Sequence, residues 1–196
     1  MKQILLALFA CVLMVGCKSK RDKKPAIPAA SFFVNDYLKG QIAKLDTALF
    51  SFYKIETVDG RSDTTPIKNS EIRQYAKDFL DLPDLANSDV KDDYEVSHLY
   101  DDLQNAFIFT YMTKEEHPVR QQDITVEPEI NAEGKNDIRS VYVVLWDEKE
   151  DTLIRKNLFW ESNKSFQVTS TVEASGQPEK IKRLKVIWNG FERQTN

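Results

Sequence analysis

Few residues of this 196-residue chain combine a reactive type with a reactive spacing. The two histidines, His98 and His117, stand apart, with no His-x-x-x-His pair to begin a zinc site of three protein ligands and an open position. His98 alternates with Val96 and Tyr100 and is expected to pack within a strand rather than act as a base or ligand, and His117 precedes Pro118 in a turn. Ser88-Asp89-Val90-Lys91 has the spacing by which a lysine activates a serine nucleophile. No Lys-Thr-Gly accompanies it, and acidic residues surround it. A Gly-x-Ser-x-Gly elbow, a phosphate-cradling glycine loop and a His-Glu-x-x-His helix are all missing.

Three acidic clusters, Asp92-Asp93, Asp101-Asp102 and Asp147-Glu148-Lys149-Glu150-Asp151, carry the oxygen ligands a hard cation takes. None has the spacing of a calcium loop. Paired carboxylates also serve glycoside hydrolysis, where their separation in space decides, but charged turns are expected as solvated hairpin tips. Trp146, Trp160 and Trp188 each fall near the end of a predicted strand, a position suited to an aromatic platform for sugar or peptide. Their period-two companions (Tyr142 and Val144, Leu158, Leu184 and Val186) instead favour burial of all three on a helix-covered face. Phe50, Phe52, Phe107 and Phe109 either line a cavity for an apolar ligand or fill a core.

The elements that must hold these residues follow from periodicity. Val34, Leu38, Ile42 and Leu45 recur at helical spacing, with Ser31 as the cap, and predict a helix through Asp46. A strand is expected over Leu49 to Val58, and Asp59-Gly60 begins a polar loop to about Pro66. Ile72, Tyr75, Ala76, Phe79 and Leu80, behind Asn69 or Ser70 as cap and Glu71 in the first turn, predict a second helix ended by Pro83. Further strands are expected at Tyr94–Leu99, Phe107–Thr113, Asp123–Ile130, Arg139–Trp146, Thr152–Glu161, Ser165–Glu173 and Lys180–Trp188. Turns too short for a crossover helix make consecutive strands antiparallel. The expected fold is therefore α+β: an antiparallel meander of six to eight strands with two N-terminal helices packed on one face.

Composition sets the class. With 41% hydrophobic and 30% charged residues, the chain is ordinary for a globular protein, and about 180 residues suffice to bury roughly 70% of the unfolded surface without a metal or disulfide. The net charge of −4 hides a polarity: residues 18–24 hold five bases and one acid, whereas residues 25–196 hold 21 bases against 30 acids. Such a body disfavours nucleic acid as a partner.

Lys2 followed by the apolar run Ile4 to Val15 reads as an export signal, because twelve helical residues cover about 18 Å of a hydrocarbon core about 30 Å thick. The run ends Leu13-Met14-Val15-Gly16-Cys17, which resembles the lipobox of bacterial lipoproteins. The resemblance implies that residues 1–16 are removed, that Cys17 is lipid-modified as the new N-terminus, and that the membrane is a partner through two or three acyl chains on it. Cys11 is lost with the signal, so the mature chain would carry no free thiol, disulfide or cysteine metal site. Residues 17–30 then form a basic, proline-containing tether and residues 31–196 a single α+β domain.

Lys18 stands where an inner-membrane lipoprotein of Gram-negative bacteria resembling this one carries Asp, and the basic cluster is the opposite of an acidic surface-export signal. The resemblance therefore implies the periplasmic face of the outer membrane. In organisation the chain resembles the small envelope lipoproteins of Bacteroidota, a group whose shared features do not specify an activity. Asp63-Thr64-Thr65 and Asp151-Thr152-Leu153 resemble the short O-glycosylation sites of that phylum, with Thr64 and Thr152 as acceptors; Asp46-Thr47-Ala48 matches the same pattern. Asn163-Lys164-Ser165 fits the N-glycosylation pattern but is discounted in a bacterium.

No cofactor is implied. The leading expectation is a non-enzymatic binding or scaffold module with an envelope protein as partner. The alternatives are a carrier of an apolar ligand in a sheet–helix cavity and an envelope glycan hydrolase.

Overall fold

The recurrence of Val34, Leu38, Ile42 and Leu45 folds as helix α1, Val34–Asp46, with all four side chains buried. The structure is a computed structural model that describes residues 27–28, 32–86 and 89–189. The expected cap, Ser31, lies outside them. Phe33 occupies the cap position without a side-chain bond, and Asp36 in the first turn and Lys44 in the last suit the helix dipole.

The expected loop after Asp59 is instead a strand. Phe52–Val58 (β1) and Arg61–Ile67 (β2) pair antiparallel across Asp59 and Gly60, whose φ values of 48° and 76° are the doubly left-handed geometry of a tight hairpin. Asp-Gly was a hairpin signal, but Arg-Ser-Asp-Thr-Thr-Pro has no apolar alternation because both of its faces meet solvent. Space around Gly60 is open, so only backbone strain opposes a side chain there. Gly60→Val is expected to lower stability by about 1–2 kcal/mol, read from a shift in urea midpoint.

The second helix is also broken. A 3-10 turn at Asn69–Glu71 leads into two single turns, α2 (Ile72–Tyr75) and α3 (Lys77–Leu80), separated at Ala76 with φ −90° and ψ 9°. Turns this short are marginal alone, so packing sets their geometry. Ile72, Ala76 and Phe79 are fully buried, and the break turns the Phe79 ring edge-on to Trp160 at 5.5 Å and to Phe166 at 5.6 Å.

The remaining strands are β3 (Tyr94–Asp101), β4 (Ala106–Thr113), β5 (Val119–Ile130), β6 (Asn136–Lys149), β7 (Thr152–Glu161), β8 (Ser165–Ala174) and β9 (Lys180–Ile187). All nine strands form one open antiparallel sheet in the order β2-β1-β9-β8-β7-β6-β5-β4-β3. The fold is α+β, and β2 takes the strand number beyond the expected eight. The first hairpin joins the meander through its last strand, with Tyr53 opposite Ile187.

Register explains the core. Phe109, Ile124, Val141, Trp160, Phe166 and Val186 stand opposite one another in a row across six strands, and all are fully buried beneath residues of α1, α2 and α3. At the β1 end polar pairs take over, with Lys54 2.8 Å and Lys182 3.2 Å from Glu56, and in mid-sheet Lys156 of β7 lies 2.7 Å from Asp78 of α3.

Candidate functional site

An irregular stretch of the sheet supplies the most elaborate polar arrangement. Thr125 pairs with Ser140 but Val126 pairs with Ile138, so Arg139 is an extra residue in β6. Such bulges re-aim side chains. The Arg139 guanidinium meets Glu127 through two bonds of 2.7 and 2.6 Å and donates at 2.8 Å to the Gln104 carbonyl in the β3–β4 turn. Bidentate charge-assisted pairs of this kind are among the strong hydrogen bonds.

Beside it, the turn from β7 to β8 places Asn163 at φ 61° and brings Ser162 under α1. Ser162 donates to the Ile138 carbonyl at 2.5 Å, which leaves its oxygen to accept from Tyr37 of α1. Burial, with a smaller push from the Asp137 carboxylate, raises the Tyr37 phenol above its ordinary value against the opposing effect of the Ser162 bond, so Tyr37 stays a donor at neutral pH.

These groups border a cleft of about 560 Å³ lined also by Gln41 and Lys44 of α1, Asp137, Glu161 and Lys164. Volumes of a few hundred Å³ suit small ligands, but this lining is polar where drug-like pockets are mostly apolar. Its carboxylates are all bonded, Glu127 to Arg139, Glu161 to Lys164 at 2.7 Å, and Asp137 accepting from Asn131 at 2.8 Å, while Lys44 adds a further cation to the lining. What the arrangement offers is a set of hydrogen-bonding groups drawn from α1, β5, β6 and the β7–β8 turn with the end of β7.

The hydrogen bonds from Arg139 hold the Glu127 carboxyl below the ordinary carboxylate value near 4.5. A carboxyl depressed on folding stabilises above its unfolded value, and the contribution fades as pH falls through the folded one. Both side chains are about a third exposed, so screening limits the effect. Glu127→Gln is expected to cost about 0.5 kcal/mol at pH 7 and progressively less as pH drops from 4.5 towards 3, read as urea midpoints across that range.

The sequence-derived candidates are scattered. Cys17 and Ser88 lie outside the described residues. His98 is exposed on β3 with its ring 5.8 Å from Phe109. The His117 imidazole stacks on Tyr94 at 5.7 Å and meets Asp93 at 2.9 Å, tying the β4–β5 turn to the start of β3. Burial first, and Asp93 second, push the Tyr94 phenol up to about 12, which keeps it donating to the Val119 carbonyl.

Asp101 accepts from the Leu103 and Gln104 amides within its own turn, whereas at the end of β6 Asp147 meets Lys149 and Glu148 reaches Arg120 of β5 at 3.7 Å. Among the described residues no group of three His, Cys, Asp or Glu side chains is placed to hold a metal ion.

Trp160 and Trp188 are buried and in ring contact at 5.6 Å. Trp146 departs from expectation: it lies on the opposite face of the sheet, a third exposed, beneath the Arg120 guanidinium at 5.0 Å. Ser-Val-Tyr-Val-Val-Leu-Trp is apolar on both faces of β6, and its partner strands chose Val141 and Val143 for the core.

Phe52, Phe107 and Phe109 are core residues and Phe50 is half exposed. None of these four rings borders the cleft. Thr64 is exposed on edge strand β2 rather than in a loop, Thr152 opens β7 half-buried, and Thr47 is exposed just after α1. The cleft residues Tyr37, Gln41, Glu127, Arg139 and Ser162 escaped the sequence reading because nothing in it pairs a helix with a bulge and a turn so distant in the chain.

The fold defines a single-sheet α+β protein with a polar cleft at one end of the sheet. No family model matches the chain, and no curated protein matches it at a significant level. No helix among the described residues is long and apolar enough to cross a membrane.

Proposed function

We propose that this chain is a lipid-anchored, non-enzymatic binding module of the bacterial envelope, held through Cys17 on the periplasmic face of the outer membrane, with the cleft as its recognition site. The observation that carries the binding assignment is the cleft between α1, the β6 bulge and the β7–β8 turn, where Glu127 and Glu161 are already held by Arg139 and Lys164. Preformed polar groups whose carboxylates are already bonded recognise hydroxyl-rich or amide-rich ligands without being poised to transfer protons. Glycan and peptide segments of the envelope have that chemistry.

A hydrolase is the second reading, favoured by the presence of Glu127, Asp137 and Glu161 in one cleft. Against it, a general acid needs a raised proton affinity, and Arg139 lowers that of Glu127.

Soluble peptidoglycan fragments titrated into the purified chain, followed by calorimetry and amide shifts, test both readings. Binding without turnover, centred on residues 37–44 and 162–164 and weakened on the order of tenfold by Gln41→Ala, is expected. Release of shortened products would establish the hydrolase. Saturation elsewhere on the molecule, or no binding at millimolar fragment, would overturn the cleft as the site.

A further inference from the structure

The two edges of the sheet are not alike. Edge strand β2 contains Pro66, which lacks an N–H, and its charges, Arg61 and Asp63, cancel. Proline and mixed charge blunt an edge against further pairing. At the other edge, β3 runs eight residues with no proline or lysine, and Glu95 to Leu99 are all exposed, including Val96 and Leu99. β3 pairs with β4 on one side, and no other described strand pairs with its free side.

Alternation gives that edge two distinct faces. Val96, His98 and Tyr100 stand in the rows that hold Tyr111, Phe109 and Phe107, on the helix-covered side. Glu95, Ser97, Leu99 and Asp101 stand on the other side, and just beyond the strand ends Asp92, Asp102 and the His117-bound Asp93 outnumber the one base, Lys91. A second copy adding antiparallel about His98 would set Glu95 against the copy's Asp101, and like charges so placed repel. A basic strand meets no such penalty.

We propose that β3 is a docking edge for an extended basic segment of an envelope partner, added antiparallel as a tenth strand. Its lysines or arginines lie beside Glu95 and Asp101, and its alternate apolar residues cover Val96 and Tyr100. Main-chain bonds supply affinity in such strand addition, and the alternating side chains supply specificity.

The probe is a capped heptapeptide of alternating lysine and valine, titrated into the full mature chain in detergent at low salt. Three peptides serve as comparators: one with glutamate for lysine, one with the lysines grouped together, and one with N-methylated valines. The alternating peptide is expected to bind with Kd on the order of 10–100 µM, to weaken with salt, and to shift the amides of residues 95–99. Glu95→Lys and Ser97→Lys are each expected to weaken it at least about tenfold, Glu95→Gln less, and Asp63→Lys on the far edge not at all.

Equal binding of the grouped peptide reduces the interaction to unspecific charge and overturns the proposal. Equal binding of the N-methylated peptide, or shifts confined to β2, does the same. Concentration-dependent dimerisation lost in Ser97→Pro would replace the basic partner with a second copy.

Discussion

Trp160→Ala should lose about 3–5 kcal/mol of stability, the largest effect expected of any single substitution in the sheet. The indole is fully buried, stacked on Phe166 at 5.4 Å and 7°, met edge-on by Phe79, and in contact with Trp188. Alanine removes the centre of this cluster at the point where α3 meets the middle of the sheet, so the cavity cannot close without moving both.

Trp160→Phe is expected to cost far less, about 1–2 kcal/mol. The indole Nε1 is buried without a hydrogen-bond partner, so phenylalanine also removes an unsatisfied donor. Urea unfolding followed by far-ultraviolet circular dichroism separates the two variants. Equal losses would overturn this account, because phenylalanine would then recover nothing from refilling most of the indole's volume.

The second large effect concerns attachment. Exporting residues 18–196 behind an ordinary cleavable signal, and so without Cys17, is expected to move the protein from the membrane fraction almost wholly to the soluble periplasm. Each buried methylene contributes about 0.8 kcal/mol, so two or three acyl chains hold a protein many orders of magnitude more tightly than the basic residues of the tether, at about 1 kcal/mol each before screening. Fractionation of both forms, with mass analysis of the wild-type N-terminus, checks the lipidation proposed for Cys17. Persistent membrane binding of the cysteine-free form, or an unmodified thiol at Cys17, would remove the anchor from the proposed function.

Much of the fold was legible where one face of an element is apolar and the other is not. Val34, Leu38, Ile42 and Leu45 marked α1, and eight strands lie within a few residues of their expected bounds. Legibility failed in two opposite circumstances. The residues of β2 are polar on both faces, and those of β6 from Val141 to Trp146 are apolar on both, so in neither does alternation carry information. The first became an overlooked strand and the second put Trp146 on the wrong face.

The cleft was illegible for a different reason. Tyr37 and Ser162 are 125 residues apart and Glu127 meets Arg139 only because β6 carries one extra residue there. No local pattern encodes a register shift or the crossing of a helix over a sheet end.

Sequence by itself determined the α+β class, the positions of most elements, the acidic body with its basic tether, and the expectation of a lipid on Cys17, because these depend on local periodicity, charge and short-range motif. Tertiary structure alone decided that β1 pairs with β9, that the second helix breaks at Ala76, which faces β6 presents, and that Arg139 meets Glu127 beside Tyr37. Those outcomes depend on free energies shared between segments far apart in the chain, where burying one residue fixes the choice open to another.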